Sequence, residues 1–102
     1  MHRVLVLGAG KIGALISGLL AESKSYKVDV ADVSAATADA VVKAHGLPGI
    51  RSFGVDAANE AALSAHLAQN PVDAVISSLP YYCNPAVARA ARAANAHYFD
   101  LT

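Results

Sequence analysis

Cysteine occurs once, at Cys83, so no intrachain disulfide can form and the chain fits a reducing compartment such as the cytoplasm. An excess of charge is lacking too: Lys plus Arg and Asp plus Glu both number 8, and the net charge is zero. The basic residues Arg3, Lys11, Lys24, Lys27, Lys43, Arg51, Arg89 and Arg92 are scattered, which leaves no stripe for nucleic acid or an anionic membrane. No apolar run approaches the roughly 18 residues of a membrane span. Strand-like residues begin by about position 3, which leaves no room for a signal peptide, and a cytoplasmic protein is expected. His2, His45, His66 and His97 lack ligand spacing, so no metal site is expected. There is no nucleophile elbow, no pair of catalytic carboxylates, no short internal repeat and no low-complexity linker. No catalytic residue can be assigned.

Apolar residues, by contrast, are plentiful. They make up 55% of the 102 residues, and a mean hydropathy of +0.39 describes one compact domain with a real core. A neutral, Ala-rich surface of this kind also points to apolar area that awaits a partner domain or subunit, and leaves a homodimer open.

The chain is organised around Val4 to Gly13, VLVLGAGKIG. Val4-Leu5-Val6-Leu7 has no polar alternation and reads as a strand buried on both faces, as in a parallel sheet. It runs into Gly8-Ala9-Gly10-Lys11-Ile12-Gly13, a G-x-G-x-x-G turn, and then into Ile12, Leu15, Ile16, Leu19 and Leu20 at helical spacing. Gly8 permits a tight exit from the strand, Gly10 lets a pyrophosphate approach the backbone without meeting a Cβ, and Gly13 lets the helix lie close. The helix N-terminus offers free N–H groups and partial positive charge, so a dinucleotide diphosphate is the expected occupant.

Such a turn carries weight only with a strand before it, a helix after it and an acidic residue about 20 positions on. Tyr26 to Asp32, with Val28 and Val30 on one face, supplies the second strand and ends on that acid. The Asp32 carboxylate can accept from both adenosine ribose hydroxyls and would repel the 2′-phosphate of NADP. Val33 stands where an NADP enzyme often has Arg, so NAD is favoured and NADP remains open. The alternative reading has Asp32 only cap the next helix, for which Ser34 is a better-placed competitor.

The spacing predicts strands at about 2–7, 27–32, 50–55, 73–77 and 97–101, and helices at about 11–23, 35–45, 60–69 and 86–94. Ser34 and Asn59 read as N-caps, Gly46 and Asn95 as left-handed closers, and Leu47-Pro48-Gly49 as a turn. Asn84-Pro85 reads as an N-cap followed by proline at the first helical position. Five strands alternating with four helices make an α/β, doubly wound parallel sheet, most simply in the order 3-2-1-4-5. Its switch point lies between the first and fourth strands. The ligand crevice therefore falls between Gly8 to Gly13 and Ser77-Ser78-Leu79-Pro80, whose small hydroxyls suit the pyrophosphate and nicotinamide ribose.

Other candidates are weaker. Asp56, at the end of the third strand, or the adjacent Ala57 amide could reach the adenine, and an Asx turn is an equal reading of Asp56. Lys11 could add a cation near the phosphates or simply be solvated. Cys83 could have a lowered pKa near a helix N-terminus, with no base placed to use it. Tyr81 and Tyr82 could line a nicotinamide or substrate pocket or pack against another domain.

Taken in order, VLVLGAGKIG, VDVADVS, VDAANEAAL, DAVISSLPYY and AHYFDLT resemble the N-terminal cofactor domain of the saccharopine dehydrogenase family over essentially the whole chain. That resemblance implies a Rossmann-type NAD(P)-binding domain over 1–102, an N-terminal fragment of a longer oxidoreductase acting at amino-acid or polyamine C–N bonds, with lysine dehydrogenases and carboxynorspermidine synthases as related members. Many members use NADP; Asp32 followed by Val33 departs from that. Acid–base groups and substrate contacts would come from a substrate domain or second subunit. A different class, the nucleotide-sensing domains that gate potassium transport, also begins GAGKIG with an acidic end to the second strand. It typically has a G-D-A-T-like turn where this chain has Val55-Asp56-Ala57-Ala58. A catalytically silent binding module is the third reading.

Overall fold

A computed structural model describes residues 1–46 and 49–101. The elements are β1 (His2–Leu7), α1 (Lys11–Glu22), β2 (Tyr26–Asp32), α2 (Ala35–His45), β3 (Ile50–Gly54), α3 (Glu60–Gln69), β4 (Ala74–Ser77), a 3₁₀ turn (Tyr81–Cys83), α4 (Asn84–Ala93) and β5 (His97–Asp100). The strands form one sheet in the order β3-β2-β1-β4-β5, and every pairing is parallel. The α/β doubly wound, Rossmann-type arrangement expected from the spacing is the one found.

Strand alternation splits the apolar run of β1 between two cores. Leu5 and Leu7 join Ala31, Leu63, Leu67, Val75 and Val87 beneath α3 and α4. Val4 and Val6 join Val28, Val30, Ala38, Val41 and Ile50 beneath α1 and α2. This two-sided burial is why β1 carries no polar alternation.

The helix ends follow the sequence closely. Ser34 Oγ accepts from the Thr37 N–H at 3.2 Å and Asn59 Oδ1 from the Ala62 N–H at 3.1 Å, while Gly46 is left-handed at φ 60° and Asn95 at φ 63°. Of the expected turn at 47–49, Leu47 and Pro48 lie outside the described residues. Lys24, at φ 60°, is a left-handed residue that no sequence signal marked.

Asn84 departs from expectation. Cys83, not Asn84, occupies the N-cap position of α4, and no side chain caps that end. The 3₁₀ turn has already begun to wind the chain, so Asn84 falls inside the first turn, where it is buried and its Oδ1 accepts from Ser77 Oγ at 2.8 Å. The packing of α1 also departs from the simplest reading of its pattern. Its buried residues are Gly13, Ser17 and Gly18, because the helix backbone presses so closely on its surroundings that only small side chains fit. A Cβ on Gly13 would strike the Gly8 carbonyl, and one on Gly18 would strike the His45 imidazole. Ile12, Leu15 and Leu19 are displaced to the outside.

Candidate functional site

The glycine loop joins β1 to α1 at the carboxyl edge of the sheet. Gly8 turns at φ +96°, a conformation that L side chains rarely adopt, and a Cβ there would lie 2.7 Å from Ser78 Oγ. Gly10 differs in kind. Its φ of −73° and ψ of −169° suit any residue, and a Cβ built on it meets nothing within 4 Å. Nothing in the fold of the chain itself requires a glycine there. The vacant side-chain position leaves main chain open to an approaching ligand, the use the sequence pattern assigns to it.

The start of α1 is also bare. Whereas α2 and α3 are capped by Ser34 and Asn59, α1 has no side-chain cap and no acidic residue in its first turn. Its first intrahelical bond is Ala14 N–H to the Gly10 carbonyl at 2.8 Å. The N–H groups of that turn therefore keep their capacity for an anion. Lys11 and Ile12 lie exposed in the same turn.

Asp32 closes the other wall. Its Oδ2 accepts from the Ala9 N–H at 2.9 Å and its Oδ1 from the Ser34 N–H at 3.0 Å. These bonds tie the end of β2 to the glycine loop. Each oxygen accepts one of them, and a carboxylate has about four lone-pair sites, so half its capacity is free for ribose hydroxyls. The alternative in which Asp32 caps α2 is realised only in part, since Ser34 caps that helix and Asp32 orders the residue before it.

A cavity of about 190 Å³ opens beside this carboxylate, lined by Leu7, Gly8, Ala31, Asp32, Val33, Val55, Asp56, Ala57, Ala58, Leu79 and Cys83. Of the residues singled out from sequence, it brings together Gly8, Asp32, Val33, Asp56, Ala57, Leu79 and Cys83. Among the described residues that line it, the charged ones are the carboxylates of Asp32 and Asp56. Asp56 makes the Asx turn, Oδ1 accepting from the Ala58 N–H at 3.1 Å, and still borders the cavity.

The serines at the end of β4 are held by the protein. Ser77 is buried, with its hydroxyl given to Asn84. Ser78 Oγ lies 2.9 Å from the Leu7 carbonyl and 3.1 Å from that of Gly8, pinning the end of β1 to the end of β4. Pro80, Tyr81 and Tyr82 stand exposed beyond the end of β4, the two tyrosine rings meeting edge to face at 5.8 Å. Cys83 reaches the cavity wall as a free thiol.

Two groups escaped the sequence reading. Tyr98 donates to Asp100 Oδ2 at 3.0 Å, and burial, then this bond, push its phenol up to about 12. Farther along the same register row, on β2, Asp29 is fully buried and accepts from Arg3 Nη1 at 2.8 Å and from Arg51 Nε and Nη2 at 2.9 and 2.8 Å. Nothing in their spacing announces that Asp29 and Arg51 are register partners on β2 and β3, or that Arg3, two residues before Asp29's β1 partner Leu5, reaches the same carboxylate.

Among the described residues no group of three or more His, Cys, Asp or Glu could hold a metal ion, and no helix is long and apolar enough to cross a membrane.

Comparison with known proteins agrees with this geometry. The family described as the saccharopine dehydrogenase NADP binding domain matches residues 4–102. No curated protein matches the chain. Among solved structures, apo saccharopine dehydrogenase (L-Glu forming) from Saccharomyces cerevisiae superposes with a TM-score of 0.84 and 29% identity, over 98% of this chain and 21% of that one. UDP-glucose 4-epimerases share the fold. The enzyme from Stenotrophomonas maltophila, with bound NAD, gives a TM-score of 0.73 at 17% identity over 94% of this chain and 35% of that one. The one from Bifidobacterium longum, in complex with NAD+ and UDP, gives 0.72 at 22% over 91% and 34%. The chain thus spans about a fifth of the length of the yeast enzyme it resembles. With a match that reaches from β1 to the last residue, this chain belongs to the saccharopine dehydrogenase NADP-binding domain family.

Proposed function

We propose that this chain is the cofactor-holding part of a cytoplasmic oxidoreductase that moves hydride between a nicotinamide dinucleotide and a carbon bonded to nitrogen in an amino acid or polyamine. The nicotinamide supplies the hydride chemistry when bound; this chain's residues bind and orient it. The observation that carries the reading is Gly10, a position with ordinary backbone angles and open space where a side chain would be. The diphosphate would rest there, on the uncapped first turn of α1 around Lys11, Ile12 and Gly13. The adenosine ribose would bond to Asp32, and the adenine would lie against Val33, Val55, Asp56 and Ala57. Leu79 and Pro80 would border the nicotinamide half. Ser77 and Ser78 would act by holding the crevice walls, since their hydroxyls are already engaged. Substrate contacts and acid–base groups would come from a substrate domain or a second subunit.

The cavity also bears on which cofactor is preferred. Among the described residues two carboxylates and no cation line it, and Val33 stands exposed where a guanidinium would be needed. A 2′-phosphate would meet uncompensated negative charge. NAD is therefore the expected partner, even though the family is described by NADP. Calorimetric titration with NADH and with NADPH tests this. NADH should bind at least tenfold more tightly and, at 100 times its Kd, stabilise the fold by about 2.7 kcal/mol. Tighter NADPH binding would overturn the preference, and binding of neither would overturn the site. Hydride transfer is tested by NADH formation from saccharopine, lysine and polyamines, with this chain alone inactive and activity appearing only with a substrate domain present.

A further inference from the structure

The two peptide groups through which β1 runs into the glycine loop are each held from both sides. In the first, the Gly8 N–H donates to the Ala31 carbonyl of β2 at 2.8 Å, and the Leu7 carbonyl accepts from the Ser78 N–H, just past β4, at 2.9 Å. The second peptide, between Gly8 and Ala9, is held the same way by side chains. Its carbonyl accepts from Ser78 Oγ at 3.1 Å, and its N–H donates to Asp32 Oδ2 at 2.9 Å. Ser78 Oγ also lies 2.9 Å from the Leu7 carbonyl, so one hydroxyl proton is shared between two oxygens. Leu7 already has the Ser78 N–H. Among the described residues the Gly8 carbonyl has no donor but that hydroxyl.

A peptide group is planar, and in the trans form its carbonyl and N–H point opposite ways. Fixing the Gly8 oxygen from β4 therefore aims the Ala9 N–H at β2, where Asp32 receives it. Gly13 closes a third side, because a Cβ there would lie 2.8 Å from Ser78 Oγ and would strike the Gly8 carbonyl. The oxygen has no room to swing toward α1. Gly8 and Ala9 are buried while Gly10 is exposed, so the held peptide sits behind the surface on which a diphosphate would rest. Ser78 is half-buried and stands outside the cavity that Asp32 borders.

We propose that the Gly8–Ala9 peptide is a crossbar from β4 to β2, and that Ser78 is a positioning residue which, through this peptide, sets the Asp32 carboxylate for the adenosine ribose before the cofactor arrives. The role presupposes that a nicotinamide dinucleotide binds the crevice, and it falls to a residue that touches no part of that ligand. Asp32 is oriented by two main-chain N–H groups, those of Ala9 and Ser34. The Ser34 bond is local to the end of β2, whereas the Ala9 bond ties the carboxylate to the loop that would carry the diphosphate. Without the Ser78 hydroxyl the Gly8 carbonyl loses its donor, the peptide plane is free to tilt, and the Ala9 bond to Asp32 loosens with it. A carboxylate that must be ordered during binding gives a weaker complex than one ordered beforehand.

Amide hydrogen exchange of the free chain and calorimetric titration with NADH, both on Ser78→Ala, test this. In the free chain the Ala9 amide should exchange about tenfold faster than in the wild type, while the amides of the buried Val41 on α2 and Leu67 on α3 keep their rates. NADH affinity should fall about fivefold, and in an Asp32→Ala background the same substitution should cost less than about twofold, because a residue that acts through Asp32 then has nothing to act on. Ala9 exchange that does not change, or that rises only in step with Val41 and Leu67, would overturn the crossbar. An NADH affinity that does not move, or a loss as large without Asp32 as with it, would make Ser78 a purely structural residue and overturn its role. A wild type that binds no NADH would overturn the cofactor reading instead, and the two failures stay distinct because Ala9 exchange is read without cofactor.

Discussion

Asp29 and Asp32 lie three residues apart on β2 and carry the same side chain, yet the sheet puts them to opposite uses. Asp29, in the body of the sheet, is sealed from water and receives three hydrogen bonds from two guanidinium groups. The Arg51 guanidinium is in turn held more firmly protonated by that carboxylate, and it lies 5.2 Å over the Phe53 ring. Asp32, at the carboxyl edge, receives two backbone N–H groups, no cation borders its cavity, and half its acceptor capacity is open. A carboxylate already matched by positive charge and sealed from water is closed to a ligand. One oriented by main chain alone keeps both its charge and its free lone pairs for whatever arrives.

The comparison can be broken most forcefully at Asp29. Asp29→Ala would leave two guanidinium groups at the edge of a sealed site without their counter-charge, and urea denaturation should show a loss of about 3–5 kcal/mol. Any variant that stays folded should bind cofactor as the wild type does. A loss under 1 kcal/mol would show that water already compensates these charges. The next largest effect belongs to the phosphate corner, where Gly10→Val should weaken NADH binding more than 100-fold, about 2.8 kcal/mol. Because the added atoms enter open space, the melting temperature should move by only a few degrees. Unchanged affinity would refute the loop assignment.

At Asp32 the expected change is one of preference. Asp32→Ser with Val33→Arg should raise the NADPH to NADH affinity ratio at least tenfold, about 1.4 kcal/mol, as read by calorimetric titration of both cofactors. A ratio that does not move would detach Asp32 from the ribose. The smallest effect is at His66, whose Nε2 is buried with no hydrogen-bond partner and whose ring stacks edge-on against Phe53 at 4.7 Å. Burial, before any charge, lowers its pKa below the ordinary 6.5. The unfolded chain then binds the proton more readily than the folded one, so stability should be full above pH 6.5 and decline as pH falls through the window between the unfolded and the folded values. Urea midpoints at pH 7.5 and 5.5 should differ less in His66→Phe than in the wild type.

The glycine loop and the helix ends were legible because every part of them is local. A strand, a tight glycine turn and a helix start are contiguous in the chain, and Ser34, Asn59 and Gly46 act on N–H and carbonyl groups within four residues. Asn84 was misread for the same reason. The local rule for Asn-Pro anticipated a cap, while the 3₁₀ turn and the buried Ser77 hydroxyl, seven residues back, drew its side chain inward. The apolar spacing of α1 was read correctly as helical, but periodicity cannot say which face turns inward when glycine and serine make the tighter contact. The Arg3–Asp29–Arg51 cluster and the Ser78 bonds to Leu7 and Gly8 join residues 22 to 71 positions apart, and only strand register brings them together.

What this chain of amino acids determined unaided was the order and kind of its elements, the sheet they build and the glycine turn between β1 and α1, since apolar period, caps and glycine turns act over a few residues. Tertiary structure alone decided which carboxylate is closed by arginines and which stays open, which serines are held by their own fold, and which face of α1 remains apolar and bare. Those outcomes depend on distances between residues far apart in sequence, and they are set only when the strands align and the helices settle on them.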